Sequence, residues 1–566
     1  MRKVRFILRM APGLARGLIV GLVAGVMAGG CQAGAPDPEG LEMSETGVTL
    51  DVGETVALRA ATVPAGAREP ELSWSTSDKL VATVDAEGTV RAVGAGAATV
   101  EARDAASGFA ARCRVAVREP GRQEVPLDPD DRWADTGVNV PPYPAYVRVA
   151  NAAEFPRVEL WTESLKPVQS KTNWERGYIA VYDPMMMYSD EVEVPKMPMK
   201  IRGRGNTTWE GPEGKKNPYR IKLETHTKLL GMKGDKDWIL LSDRFDPSLM
   251  RTALAMRISR LASMPWTPKF RIVELYLNGA YAGMYYLMEQ KEVDRENKVP
   301  ITVVPNQTAS GYLLELDNKS DEDRYFRSKY FKKKIKFKDP DPNEGTMSAA
   351  QQQYITEYCE TLEQKLTERA FTGADTYRDY IELDTWVRQF IVQELTMNID
   401  GNMRLSTYFA KDTDTKLFIP FCWDFDRAFG NASYMVAEFR VPETWPKGWF
   451  VRIRGGDESD SEYNFGFRPT WYQYMFEDPV FVARVKELWE LYRPRFNDLP
   501  VYLDKMESYC KPALDHNGQK FGKNHASAIA SLRKGLLQRL EWMDEHIRAL
   551  EPQRYNPATG AYEDLN

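Results

Sequence analysis

Six prolines between positions 120 and 144 (Pro120, Pro126, Pro129, Pro141, Pro142 and Pro144) interrupt the chain more decisively than any other feature. Each fixes its own φ and lacks an N–H, and the residues around them are polar and acidic, so no helix or sheet continues through the stretch. Residues 119–147 are therefore expected to be a linker between separate folding units, and 566 residues exceed what one core organises. The two flanks differ in period. Residues 41–118 hold short apolar-alternating runs ("VALRAATV", "ELSWSTSD", "VATVDAEGTVRAV", "FAARCRVAV") cut by Gly, Pro, Asp and Ser, which predicts about seven strands in a sandwich. Residues 155–550 begin strand-rich and turn helical, an α+β layout with a cleft expected between two lobes.

The first 31 residues are read separately. Arg2, Lys3, Arg5, Arg9 and Arg16 precede the small, apolar run "GLIVGLVAGVMAGG", which is too short to span a bilayer comfortably and has the layout of an export signal. Cys31 follows "MAGG", so it is expected to become the lipid-modified first residue of the mature chain. That would place the protein in a bacterial cell envelope, lipid-anchored at the outer membrane or cell surface. Residues 551–566 read as a flexible tail.

Several chemistries are disfavoured from composition alone. The formal charge of −6 is small for this length and no basic stripe dominates, so nucleic acid is not an expected partner. The four histidines are scattered, which argues against zinc hydrolase and histidine-based nucleophilic mechanisms. Cys113, Cys359, Cys422 and Cys510 lie far apart without CxxC spacing and read as buried free thiols.

Within the second unit, "MPMKIRGRGNTTW" and "NPYRIKLET" predict strands around a glycine turn. "IVELYLNGAYAGMYYLM" predicts a hairpin turning at Asn278-Gly279, and "GYLLELD" a further strand. Met250, Leu254, Ile258 and Leu261 share a helical face, "LDTWVRQFIVQELTMN" continues the pattern, and Asp478-Pro479 opens another helix. "RLSTYFAK" and "KLFIPFCWD" read as two short strands ending on Asp424 and Asp426.

Two acids behind an apolar run and Trp423 need something to hold their charge. Phosphoryl transfer supplies a reason: it requires cations for phosphates, carboxylates for Mg²⁺ and a carboxylate for the acceptor. Arg202, Arg204, Lys215, Lys216, Arg220 and Lys222 surround the glycine turn, and Asp400 lies in "NIDG" ahead of the two acids. Each has a structural alternative. Lys222 would pair with a carboxylate on a strand edge, Asp400 would be a turn residue, and Asp424 would pair with Arg427.

The whole of residues 41–118 resembles the bacterial Ig-like domain, group 2, a module that mostly acts as a spacer or adhesive unit. In the second unit, "KIRGRGNTTW…KKNPYRIKL", "LLGMKGDKDWILLSDRFDPSLMRTALA", "VELYLNGAYAGMYYLMEQKE" and "FCWDFDRAFGN" follow in the order seen in the CotH family. This resemblance runs from about Pro156 to about Leu550. It implies a divergent protein-kinase-like fold that uses ATP and a divalent metal, Mg²⁺ or Mn²⁺, to phosphorylate a protein substrate, here an exported or cell-surface one. Carried over residue by residue, Lys222 matches the phosphate-binding lysine, and Arg202 and Asn206 sit in the turn replacing the glycine-rich loop. Asp400 matches the acid that orients the acceptor hydroxyl, and Asp424 the metal-binding acid of "WDF". Asp426 is a further metal or supporting group, and "MEQKE" matches a hinge contributing mainly backbone groups. One departure stands out: Arg404 and Leu405 occupy positions where many relatives carry a metal-binding Asn, leaving Ser406 or Asn402 as substitutes.

Three functions follow as rivals. The first is a membrane-tethered, ATP-dependent protein kinase. The second is a non-catalytic cell-surface binding or adhesion protein with a degenerate kinase-like domain. The third reads "DFD" as the DxD of a glycosyltransferase, but no nucleotide-sugar pattern accompanies it.

Overall fold

The computed structural model describes residues 36–76, 79, 81–94, 96–118, 155–184, 188, 193–205, 207–317, 324–401, 403, 405–432, 445–452, 470–556 and 561–565. Cys31, the proposed linker 119–147, Asn206, Asn402 and Arg404 lie outside the described residues.

The N-terminal unit is all β. Its strands are β1 (Gly40–Met43), β2 (Gly47–Asp51), β3 (Thr55–Ala57), β4 (Ala60–Val63), β5 (Leu72–Thr76), β6 (Ala82–Val84), β7 (Thr89–Ala92), β8 (Gly96–Asp104) and β9 (Ala110–Arg118). They form a sheet ordered β2-β9-β8-β5, a second ordered β3-β7-β6, and the pair β1-β4. Alternation buries Ala98, Val100 and Ala102 on β8 and Ala111, Cys113, Val115 and Val117 on β9, the inner face of an Ig-like sandwich. Gly88 closes the β6–β7 turn at φ 84°, and a Cβ there would lie 2.6 Å from both Leu58 O and the Trp74 ring.

The C-terminal unit is a mixed α/β domain with two hydrophobic cores. Strands β10 (Arg157–Thr162), β11 (Glu175–Tyr182), β12 (Glu193–Gly203), β13 (Tyr219–Thr227), β14 (Asp235–Leu241), β15 (Phe270–Leu277) and β16 (Ala280–Glu289) close into a barrel ordered β10-β11-β12-β13-β14-β16-β15. Ile201, Ile221, Trp238 and Leu287 are among the side chains filling it. The β15–β16 turn is the expected one, with Asn278 at φ 51° and Gly279 at φ 81°.

A second sheet, ordered β18-β19-β17-β20, comprises β17 (Tyr312–Leu316), β18 (Tyr325–Arg327), β19 (Lys334–Asp339) and β20 (Thr407–Lys411). Around it pack α1 (Arg251–Leu261), α2 (Ala349–Thr367), α3 (Leu383–Thr396), α4 (Trp471–Met475), α5 (Pro479–Tyr492), α6 (Leu499–Phe521) and α7 (His525–Arg548). Their apolar faces share the second core, which includes Leu254, Phe390, Phe409, Trp489 and Leu536. Asp478 caps α5 through Val480 N at 3.0 Å, with Pro479 in the first turn, as its sequence indicates.

Two expectations are corrected. "KLFIPFCWD" forms no second strand: Ala410 and Phe418 make an isolated bridge, and beyond it the backbone turns to other partners. Ile419 N bonds Thr385 Oγ1, Pro420 has no N–H to give a ladder, and Pro420 O accepts from Trp266 N. The C-terminal tail carries β21 (Gln553–Asn556) paired with β22 (Ala561–Asp564), anchored by Gln553 N to Phe476 O and by Arg554 to Glu477.

Candidate active site

Three segments meet at the acids. The first is the turn after α3. Met397 ends the helix in the left-handed region (φ 42°), and Asp400 N then bonds Asn398 Oδ1 at 3.3 Å while Leu405 N bonds Asp400 O at 3.0 Å. Gly401 lets the Gln393 amide lie close, since a Cβ there would stand 2.0 Å from Gln393 Oε1 and push that side chain aside. The second segment is the stretch that fails to be a strand. Asp424 sits at φ 67°, rare for a residue with a Cβ, and its Oδ2 accepts from Ser406 Oγ at 2.9 Å. Ser406, one of the two substitutes for the missing Asn, thus touches the expected metal-binding acid.

The third segment is the loop from β14 into α1, residues 242–250, whose motif was legible but whose role was not. Asp246 accepts from Ser248 N and Arg251 N, Arg251 Nε reaches Ala428 O at 3.1 Å, and Asn431 Nδ2 bridges Phe245 O (2.9 Å) and Asp426 O (2.6 Å). Arg427 stacks 4.1 Å from the Phe245 ring centroid. This clamp brings Asp243 to the acids. Asp243 is 6 % exposed, and its Oδ2 is buried without a hydrogen-bond partner.

The electrostatics record the crowding. Burial pushes the Asp426 carboxyl well above the usual range, and the charges of Asp424, Asp243 and Asp400 add to it. Asp243 is pushed up to about 7 by burial, then by Asp246, with Asp424 contributing and a hydrogen bond with Thr252 and the charge of Lys216 opposing. Asp400, Asp424 and Asp426 are therefore brought together, and Asp243 joins them.

The cations divide differently. Arg204, half-buried after β12, has its guanidinium lowered by burial, with Asp424 the leading opposing charge, and lies 5.9 Å from the Trp423 ring centroid. Lys291, just past β16, donates from Nζ to Tyr408 Oη at 2.7 Å and sits 4.5 Å from the ring centroids of both Tyr408 and Trp423. Burial pulls Lys291 down to about 8, against the charges of Glu315 and Asp424. Tyr408 in turn donates to Glu315. Lys222 is half-exposed on β13 with Nζ 3.7 Å from Asp237 Oδ2, while Arg220 occupies Asp237 Oδ1 at 2.8 Å. Arg202 donates to Thr172 O at 3.2 Å and stacks 4.7 Å from the Trp174 ring centroid. Lys222 thus has a partner on β14 and Arg202 has partners in the segment before β11, and Lys291, read from sequence as backbone hinge, brings its ammonium under the influence of Asp424.

A fold with a barrel lobe, a helix-rich lobe and acids gathered beside two enclosed cations defines a mixed α/β domain with one polar centre. Residues 201–549 match the family model described as CotH kinase protein, and residues 39–115 match the bacterial Ig-like domain (group 2). The first match covers more than half of the chain, and the chain belongs to the CotH family. The pairing of these two domains fits a cell-surface protein.

A 3-O-alpha-D-galactosyl-alpha-L-arabinofuranosidase of Bifidobacterium longum subsp. longum is 36 % identical over 92 residues, which is 15 % of this chain and 8 % of that protein's length. Domains 5–6 of the S-layer protein SbsC align at TM-score 0.13 and 15 % identity, covering 33 % of this chain and 92 % of that one. SbsC domains 4–9 align at TM-score 0.14 and 13 % identity, covering 36 % and 30 %. Scores this low carry no structural argument.

Proposed function

We propose that the CotH domain is an ATP- and divalent-metal-dependent protein kinase, tethered to the cell envelope through a lipid on Cys31 and acting on an exported or cell-surface protein. The observation that carries this reading is the meeting of Asp400, Asp424, Asp426 and Asp243 beside Arg204 and Lys291. Among the described residues, no three His, Cys, Asp or Glu side chains stand close enough to hold a metal ion by themselves. The donor set still fits an ion that arrives on a nucleotide, because Mg²⁺ takes one or two carboxylates and completes its shell with phosphate oxygens and water. The buried, unpartnered Oδ2 of Asp243 favours a cation nearby.

In this reading Asp424 holds the ion, with Ser406 fixing its Oδ2 and Asp426 supporting it. The ion, Mg²⁺ or Mn²⁺, neutralises phosphate charge. Arg204 and Lys291 would meet the phosphates, while Arg202 and Lys222 keep their partners at Thr172, Trp174 and Asp237. Asp400 orients the acceptor hydroxyl and takes its proton as the new O–P bond forms and the bond from the γ-phosphorus to the β-bridging oxygen breaks, leaving ADP.

The rival binding-protein reading draws on one observation, that Lys222 is engaged with Asp237. Incubation with γ-labelled ATP and Mg²⁺ or Mn²⁺ separates the two. Label on protein with wild type and none with Asp424→Ala supports the kinase; equal label in both, or none in either, supports the binding protein.

A further inference from the structure

Behind the acid loop, two buried polar side chains on the last helices make a continuous tie. Asn517, near the end of α6 and 2 % exposed, accepts the Met284 amide of β16 on Oδ1 at 3.0 Å. Its Nδ2 lies 2.9 Å from His525 Nε2, and His525 Nδ1 lies 2.8 Å from Pro247 O. His525 opens α7 and is 5 % exposed. The proton positions follow from the partners. A carbonyl oxygen only accepts, so Nδ1 carries the proton toward Pro247. Asn517 has committed its oxygen to Met284, so it donates from Nδ2 and His525 Nε2 must accept. The ring is therefore held neutral in a single tautomer.

The tie joins three places. Met284 belongs to the barrel, Asn517 and His525 to the helix pair, and Pro247 to the loop that carries Asp243 and Asp246. Asp246 holds the start of α1 through Arg251 N, and Arg251 reaches Ala428 O behind Asp424 and Asp426. We propose that His525 is a positioning residue: as neutral imidazole it pins the acid loop between barrel and helices, and protonation of Nε2 releases that loop. The proton would occupy the lone pair that now accepts from Asn517, leaving two donors face to face. Asn517 cannot turn its oxygen inward without abandoning the Met284 amide.

The charged groups around the ring favour the neutral form on balance. Burial disfavours protonation most, Lys216 and Lys523 oppose it, and the Pro247 carbonyl and Asp246 favour it. The inference deepens the kinase reading, since the pinned loop carries Asp243, but the tie itself needs no nucleotide.

Hydrogen exchange of the 242–252 segment, in the full chain without nucleotide and normalised for intrinsic rates, tests it at pH 7.5 and pH 5.5. Wild type should exchange about tenfold faster at the lower pH, the scale of one lost buried hydrogen bond. Asn517→Asp should reverse the sense. One carboxylate oxygen still accepts from Met284, the other accepts from protonated Nε2 at pH 5.5, and at pH 7.5 it faces the Nε2 lone pair. His525→Leu should exchange fast at both pH values, which keeps the test decisive if Asn517→Asp does not fold. Equal protection of the wild-type segment at both pH values, or an Asn517→Asp response in the wild-type direction, overturns the proposal. Metal-dependent ATP binding measured alongside separates the two readings: a loop that responds while wild type binds no ATP removes the kinase and leaves the tie standing.

Discussion

Each half of the molecule buries an aspartate, and the two are treated in opposite ways. In the sandwich, Asp104 is fully buried at the end of β8. Its oxygens accept from the Arg68 guanidinium, from Ser107 N and Oγ, and from Glu71 N at 2.9 Å. Arg68, then Ser107, hold its carboxyl well below the usual carboxylate range. In the CotH domain, Asp243 is almost as buried but keeps one oxygen without a partner and is pushed up to about 7. A buried carboxylate with every lone pair used serves the fold. One left short, beside Asp246 and Asp424, is a cost that the kinase proposal assigns to a bound cation.

Substitutions should separate the two kinds of site. The largest effects belong to the acids of the polar centre. Asp424→Ala should remove phosphorylation in the labelled-ATP assay. Asp400→Ala should lower turnover by about 10²–10⁴-fold while leaving nucleotide affinity nearly unchanged, as expected for a lost general base. If Asp400→Ala lost binding and Asp424→Ala kept it, the two roles would be reversed.

Next in size is the choice between lysines. Lys291→Met should weaken ATP binding by about 10–100-fold, the worth of a charge-assisted contact. Lys222→Met, whose ammonium is half-exposed and paired with Asp237, should change it by less than about threefold. Lys291 is charged below about 8 in the free protein, so ATP affinity should fall as pH rises through that value. Titration calorimetry of both variants decides the assignment, and the reverse ranking would return the phosphate contact to Lys222.

Smaller effects concern stability. An unfolded aspartate ionises near 3.9, whereas Asp243 holds its proton to about 7. The folded state therefore loses stability as pH rises between those values, and the full cost is present above the upper one. Asp243→Asn should raise the unfolding free energy by roughly 1–3 kcal/mol at pH 8, give no gain near pH 4, and weaken metal-dependent ATP binding. A variant less stable at pH 8 would show that Asp243 is ordinary structure. Asp104→Asn should do the converse, lowering the unfolding temperature of the sandwich while ATP binding stays unchanged.

Much of this was legible in the sequence. Asn278-Gly279 announced its turn, Asp478-Pro479 its helix start, and the alternation around Val90 its strands, because each signal is local. Four ordered motifs marked the CotH domain. The gathering of acids was legible where chemistry and motif coincided, at Asp400, Asp424 and Asp426. Lys291 was missed because nothing in "MEQKE" tells that its ammonium folds back between Tyr408 and Trp423, residues more than a hundred positions later. Asp243 lay within a recognised motif, yet its importance depends on an absent partner, which no local pattern records. Lys222 is the complementary case: the Asp237 opposite it is a cross-strand neighbour, set by the register of β13 with β14, which no local pattern records.

The claim that the crowded acids await an ion carried by a nucleotide is tested most directly by calorimetric titration of ATP, with and without Mg²⁺, into wild type and Asp424→Ala. Wild type should bind ATP far more tightly with Mg²⁺ than without, and Asp424→Ala should lose that difference. Wild type binding no ATP, or binding it equally with and without the ion, would contradict the account and leave the acids without the cation proposed for them.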